Sequence, residues 1–183
     1  MEGGQNCKMK SILITGGARS GKSRFAQKLA IEAGGRVLFI ATAEAKDEDM
    51  RLRIEAHRES RPAGWKTLEA PLGIGGIVDQ HAGEAEIVVI DCITMLVANI
   101  MLQSRGEASA EELALKEIEA LTGQMDELKA TFILVSNEVG LGLVPDNELG
   151  RCYRDCLGRA NQILAQHADE VYLMVTGIPI RLK

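Results

Sequence analysis

Residues Gly16-Gly17-Ala18-Arg19-Ser20-Gly21-Lys22-Ser23 carry the G-x-x-x-x-G-K-S spacing of a phosphate-binding loop. The apolar run at 11–15 reads as a strand before it, and 24–30 reads as a helix after it, the context such a loop needs. Glycines let the backbone curl so that its N–H groups converge on phosphate oxygens. The N-terminus of the following helix adds partial positive charge. At this spacing Lys22 reaches the β- and γ-phosphates and Ser23 offers a hydroxyl to Mg²⁺. The expected ligand is a nucleoside triphosphate.

Asp91 ends the apolar run Ile87-Val88-Val89-Ile90. In a phosphate-loop fold a carboxylate at that strand end faces the metal, beside Ser23. The alternative is an N-cap aspartate for a helix beginning near Thr94.

The segment 47–61 holds a different set. Asp47, Glu48 and Asp49 suit a helix start, and Arg58 and Arg61 suit its end. At 100° per residue, Met50, Ile54, His57 and Arg61 share one face. A neutral imidazole is a nucleophile toward phosphorus. Neighbouring guanidiniums hold phosphate and disfavour imidazolium. The plainer alternative is a half-buried helix histidine flanked by solvated arginines.

The elements that must position these groups are legible as alternating runs. Strands are expected at 11–16, 36–41, 86–91, 131–136, 170–175 and 178–182. Helices are expected at 22–33, 45–59, 93–103, 109–129 and 147–167. The central runs are apolar on both faces, as in a sheet covered by helices on both sides. The expected fold is therefore α/β, a P-loop NTPase-type mostly parallel sheet with an antiparallel edge hairpin near the C-terminus, turning at Thr176-Gly177. Residues 103–107 read as a loop between helices, and 73–76 as a loop or weak helix start rather than a second phosphate site.

At 183 residues the chain suits one domain. Residues 1–8 are expected to form a disordered leader and 9–183 one catalytic domain. The net charge of −5 argues against a broad nucleic-acid footprint, and no run is apolar enough to span a membrane. Cys7, Cys92, Cys152 and Cys156 lack the companions of a metal site and read as structural thiols in a reducing, cytoplasmic setting.

Further segments carry a resemblance. They are Ile40-Ala41-Thr42-Ala43, Arg53-Ile54 with His57-Arg58 and Arg61-Pro62, Trp65-Lys66-Thr67-Leu68-Glu69, and Asp91-Cys92-Ile93-Thr94. Ser136-Asn137-Glu138-Val139-Gly140-Leu141-Gly142-Leu143-Val144-Pro145 and Gly158-Arg159-Ala160-Asn161-Gln162 complete the set. With the phosphate loop they resemble the bifunctional adenosylcobinamide kinase/adenosylcobinamide-phosphate guanylyltransferase family. The resemblance runs from about Ser11 to Lys183.

It implies two reactions. ATP or GTP phosphorylates the aminopropanol hydroxyl of adenosylcobinamide, and GMP then passes from GTP to that phosphate. The family's guanylyl carrier is a histidine, matching His57. Its nucleotide contacts match residues 16–23, Ala41, Thr42, Ala43, Arg58, Glu59, Ser60, Arg61, Glu69 and Asp91. It also implies a homotrimer. Relatives can carry glutamate at position 91, so the shorter aspartate here could reach Mg²⁺ through water. Ala56 precedes His57, so no adjacent histidine competes as nucleophile. Two other classes remain open at this level: a P-loop small-molecule kinase with a structural His57, and a non-enzymatic nucleotide switch.

Overall fold

The computed structural model describes residues 9–45, 47–104 and 109–183. The strands are β1 (Ser11–Gly16), β2 (Val37–Ala41), β3 (Lys66–Glu69), β4 (Ile87–Asp91), β5 (Thr131–Val135), β6 (Glu170–Val175) and β7 (Ile178–Arg181). The helices are α1 (Lys22–Ala33), α2 (Glu48–Glu59), α3 (Ile74–His81), α4 (Ile93–Gln103), α5 (Ser109–Glu127) and α6 (Glu148–His167). The strands form one seven-stranded sheet in the order β3-β2-β4-β5-β1-β6-β7. All neighbouring pairs are parallel except β6–β7, which is antiparallel.

Period-two alternation divides the central strands between two cores. Leu13, Leu38, Ile40, Val88, Ile90, Phe132 and Leu134 face α3, α4, α5 and α6. Ile12, Ile14, Val37, Phe39, Val89, Ile133 and Val135 face Ala26 and Ala30 of α1, with Trp65 and Tyr172 at the margins. Both faces must be apolar because both are covered. The cover is uneven: α2 stands off the sheet, with only Met50 and Ile54 half-buried among its described side chains.

Beyond one-residue shifts at the ends of β2, β4, β5, β7 and α6, four details bear on the sequence reading. β3 is an additional edge strand. Residues 73–76, read as a loop or weak helix start, do open a helix, α3, after Gly73 at φ 68°, and that helix runs on to His81. α2 begins at Glu48, with Asp47 as its cap, rather than at 45. α5 ends at Glu127 rather than 129. Gln103 closes α4 and Ser104 caps it, while the rest of the loop expected at 103–107 lies outside the described residues, as does the leader expected at 1–8.

Candidate active site

Parallel strands deliver their C-terminal ends to one edge, where ligands of open α/β sheets bind. Register puts Glu69, Ala41, Asp91, Val135 and Ile14 in one row there, across β3, β2, β4, β5 and β1. The phosphate loop leaves β1 beside that row and runs into α1.

Its conformation is braced from two sides. The Glu138 N–H donates to Gly16 O at 3.0 Å, and the Gly177 N–H in the β6–β7 turn donates to Ser20 O at 3.0 Å. Gly16 sits at φ 145°, and a Cβ there would meet Met174 O at 2.5 Å, so only glycine fits. Lys22 Nζ donates to Gly17 O at 2.6 Å. Burial pulls the Lys22 ammonium below its ordinary range, while Cys92 and Asp91 oppose that pull. Ser20 Oγ is buried without a hydrogen-bond partner, a state that a ligand oxygen would relieve.

The opposite wall comes from α2. The Asp47 side chain accepts from Met50 N at 2.7 Å and starts the helix. Met50, Ile54 and His57 then fall on the side facing the loop, as their spacing predicts, and line a cleft of about 780 Å³. His57 itself is exposed, not half-buried in a core. Arg61 follows the Ser60 C-cap, just past α2, and still reaches the same cleft.

The Arg61 guanidinium lies 4.0 Å from the Phe39 ring centroid, a cation–π contact. Burial lowers its pKa, whereas the Asp91 and Glu69 carboxylates raise it. Arginine stays protonated regardless. Its Nε is buried with no hydrogen-bond partner, leaving a donor for an anionic ligand.

A profile of the family described as "Cobinamide kinase / cobinamide phosphate guanyltransferase" matches residues 12–182. The chain belongs to that family. It is similar to the bifunctional adenosylcobalamin biosynthesis protein CobU of Escherichia coli, 39% identical over 180 residues, covering 94% of this chain and 99% of that one. CobU of Salmonella typhimurium is 41% identical, with the same coverage. The bifunctional adenosylcobalamin biosynthesis protein CobP of Pseudomonas aeruginosa is 43% identical over 171 residues, covering 93% and 96% of the two chains.

Of the residues that the family resemblance nominated, Ala18, Arg19, Ser20, Gly21, Lys22, Ser23, Ala41, Ala43, His57, Arg61, Glu69 and Asp91 all line the one cleft. Gly16 and Gly17 belong to the loop's base rather than its lining. Arg58 stands at the rim, 3.9 Å from a Glu69 oxygen. Glu59 and Ser60 are exposed at the end of α2, and Ser60 Oγ donates to His57 O at 2.8 Å. Thr42 is fully buried and does not line the cleft.

Asp91 is not a helix cap: the N-cap of α4 is Cys92, which makes no side-chain cap bond. Burial, reinforced by the Asp91 charge, pushes the Cys92 thiol up to about 11. The cleft also takes in residues to which residue-level reading gave no role. Asn137 is tied to Thr94 Oγ1 through its N–H at 2.6 Å and to Asn161 Nδ2 through its carbonyl at 3.1 Å. Those ties hold the Ser136-Asn137 segment against Asn161 of α6. Thr176 and Gly177 line the cleft as well, but a turn leading into an edge strand gives no sequence signal that it folds onto the phosphate loop.

Ser23 and Asp91 offer two hard oxygen donors. Among the described residues no group of three or more His, Cys, Asp or Glu forms a metal cage. Such a sparse oxygen set fits Mg²⁺, which keeps waters and takes its remaining ligands from phosphates.

Proposed function

We propose that this chain catalyses both reactions of its family, adenosylcobinamide phosphorylation and guanylylation of the resulting phosphate, in the cleft between the phosphate loop and α2. The observation carrying this reading is that His57 and Lys22 line the same cleft. A plain kinase site would need only the second.

In the kinase step the acceptor hydroxyl attacks the γ-phosphorus of ATP or GTP, and the nucleoside diphosphate leaves. Lys22 and the loop amides offset charge on the transferring group. Ser23 and Asp91 would hold Mg²⁺, which when bound supplies further charge neutralisation on the phosphates.

In the guanylyl step an imidazole nitrogen of His57 attacks the α-phosphorus of GTP. The bond to the β-phosphate breaks and pyrophosphate leaves. A phosphate oxygen of the cobinamide phosphate then attacks the phosphorus of guanylyl-His57; a P–O bond forms, the P–N bond breaks, and adenosylcobinamide-GDP is released with the imidazole restored. Double displacement divides one difficult exchange into two in-line steps. Arg61, with its spare Nε donor, and Arg58 hold triphosphate oxygens. Ala41, Ala43 and Glu69 contact the nucleotide from the ends of β2 and β3.

The same reading makes the protein a cytoplasmic homotrimer. The free thiols of Cys92, Cys152 and Cys156 accord with a reducing compartment. Leu141, Leu143 and Val144, 67–96% exposed, are side chains that a subunit contact would cover. Sedimentation equilibrium should return a mass about three times that of the chain.

The deciding experiment uses GTP labelled on the α- or γ-phosphate, with and without adenosylcobinamide. α-Label should enter the protein without corrinoid, in an acid-labile, base-stable bond, and γ-label should enter the corrinoid product. His57→Ala should lose guanylyl transfer and keep kinase turnover. Unimpaired guanylyl transfer in that variant would leave a plain phosphate-loop kinase as the better account.

A further inference from the structure

We infer that Thr42 is a positioning residue for Asp91, acting through backbone hydrogen bonds on the 91–92 segment rather than by touching nucleotide. Thr42 follows β2 directly, one residue past Ala41, which pairs with Asp91 across the β2–β4 ladder. Its hydroxyl donates to the Cys92 carbonyl at 2.7 Å and accepts from the Cys92 N–H at 2.7 Å. Its own N–H donates to the Asp91 carbonyl at 3.2 Å.

One side chain therefore satisfies both backbone polar groups of the residue after the carboxylate, and the adjoining N–H takes the carbonyl of the carboxylate residue itself. The anchor is in turn held. Asn99 Nδ2 donates to Thr42 O at 2.9 Å and to Pro71 O at 3.2 Å. Thr42 is 0% exposed and Asn99 1%, so water does not substitute for these bonds. Buried polar pairs of this kind fix a geometry, and partners standing behind a metal-facing group alter affinity through orientation.

The inference rests on the proposed role of Asp91 toward Mg²⁺. Thr42→Val removes the hydroxyl at nearly constant volume, and Thr42→Ser restores it. Binding of the α,β-methylene analogue of GTP, whose α–β bridge cannot be cleaved, is titrated in EDTA and across a Mg²⁺ series. Hydrogen exchange at the Cys92 amide is followed in the same proteins.

Thr42→Val should leave binding in EDTA unchanged. It should raise the Mg²⁺ concentration for half-maximal tightening by on the order of 10- to 100-fold, and expose the Cys92 amide to exchange. Thr42→Ser should stay near wild type. If the valine variant does not fold, Thr42→Ala carries the same test.

An unshifted Mg²⁺ series in Thr42→Val overturns the inference. So does an equal loss of binding in EDTA, which would mean direct nucleotide contact. Asp91→Asn separates the two levels. If that variant also titrates like wild type, the Asp91 reading falls and takes the inference with it. If Asp91→Asn shifts and Thr42→Val does not, only the inference is lost.

Discussion

At the scale of single residues the chemistry depends on where Lys22 spends its charge. Its ammonium bonds the loop carbonyl of Gly17 at 2.6 Å, which aims the group while leaving two of its three N–H donors for a bound phosphate. Lys22→Ala should lower turnover in both labelled assays by on the order of 10²- to 10³-fold, the usual cost of removing a donor aimed at transition-state charge. Near-normal turnover in both would remove the loop lysine from the mechanism. The cysteines separate by environment. Burial holds Cys92 and Cys156 thiols up near 11, whereas Cys152 is exposed. Because the thiolate is the reactive form, iodoacetamide at pH 8 should modify Cys152 well ahead of Cys92 and Cys156. Mass spectrometry of timed digests checks this, and comparable labelling of Cys92 would contradict its protonated state. The placement of side chains was legible where spacing alone sets a direction, as on the Met50–Ile54–His57 face that lines the cleft. Thr42 was not legible, because a threonine that touches a ligand and one that braces a neighbouring strand look the same in sequence.

Elements with strong periodicity, or with a run apolar on both faces, could be read directly, and those without could not. β3 is four residues, Lys-Thr-Leu-Glu, at the sheet edge with no buried side chain, so neither alternation nor hydrophobicity marks it. Only its pairing with β2 makes it a strand, and that pairing is what lifts Glu69 to the cleft. α3 was obscured by Gly75 and Gly76, which count against a helix by propensity. Packing explains one of them. A Cβ at Gly75 would meet the Ala120 Cβ of α5 at 2.9 Å, closer than the two helices permit. Gly76 faces open space. The two substitutions should therefore have opposite signs. Gly76→Ala should stabilise by about 0.5–1 kcal/mol through helix propensity. Gly75→Ala should destabilise by about 1–3 kcal/mol through overpacking, less that same propensity gain. Urea unfolding of the pair tests this, and a stabilising Gly75→Ala would mean that α3 and α5 are not held in contact.

At the scale of the whole molecule, the α/β class and the parallel core followed from apolar strands alternating with helical segments. The strand order did not, because it depends on which crossovers carry the chain from one side of β1 to the other. That order leaves β6 and β7 as the flank beyond β1, and one charge cluster fastens this flank to the start of the sheet. Lys10 Nζ donates to Glu170 Oε1 at 2.8 Å, Tyr172 Oη donates to Glu170 Oε2 at 2.8 Å, and an Arg181 nitrogen lies 3.6 Å from Oε1. The Glu170 side chain is only 12% exposed. The Lys10 hydrogen bond first, then that from Tyr172, hold its carboxyl below the usual glutamate range. With a lowered folded pKa, the folded state binds fewer protons than the unfolded state through the titration window. Stability from this group is thus complete above the ordinary glutamate pKa and lost as pH falls through the folded value. Lys10 shifts upward, so its contribution holds at neutral pH and is lost only at alkaline pH. Glu170→Gln should lower stability at pH 7 by about 1 kcal/mol, or about 2–4 °C in Tm for a chain of this size. The gap between wild type and variant should begin to narrow as pH falls below the ordinary glutamate pKa and go on narrowing through the lowered folded value, as the carboxylate becomes neutral like the amide. Thermal melts of the two proteins from pH 3 to 8 decide the matter. A gap that stays constant across the series would assign the loss to packing and not to the carboxylate charge.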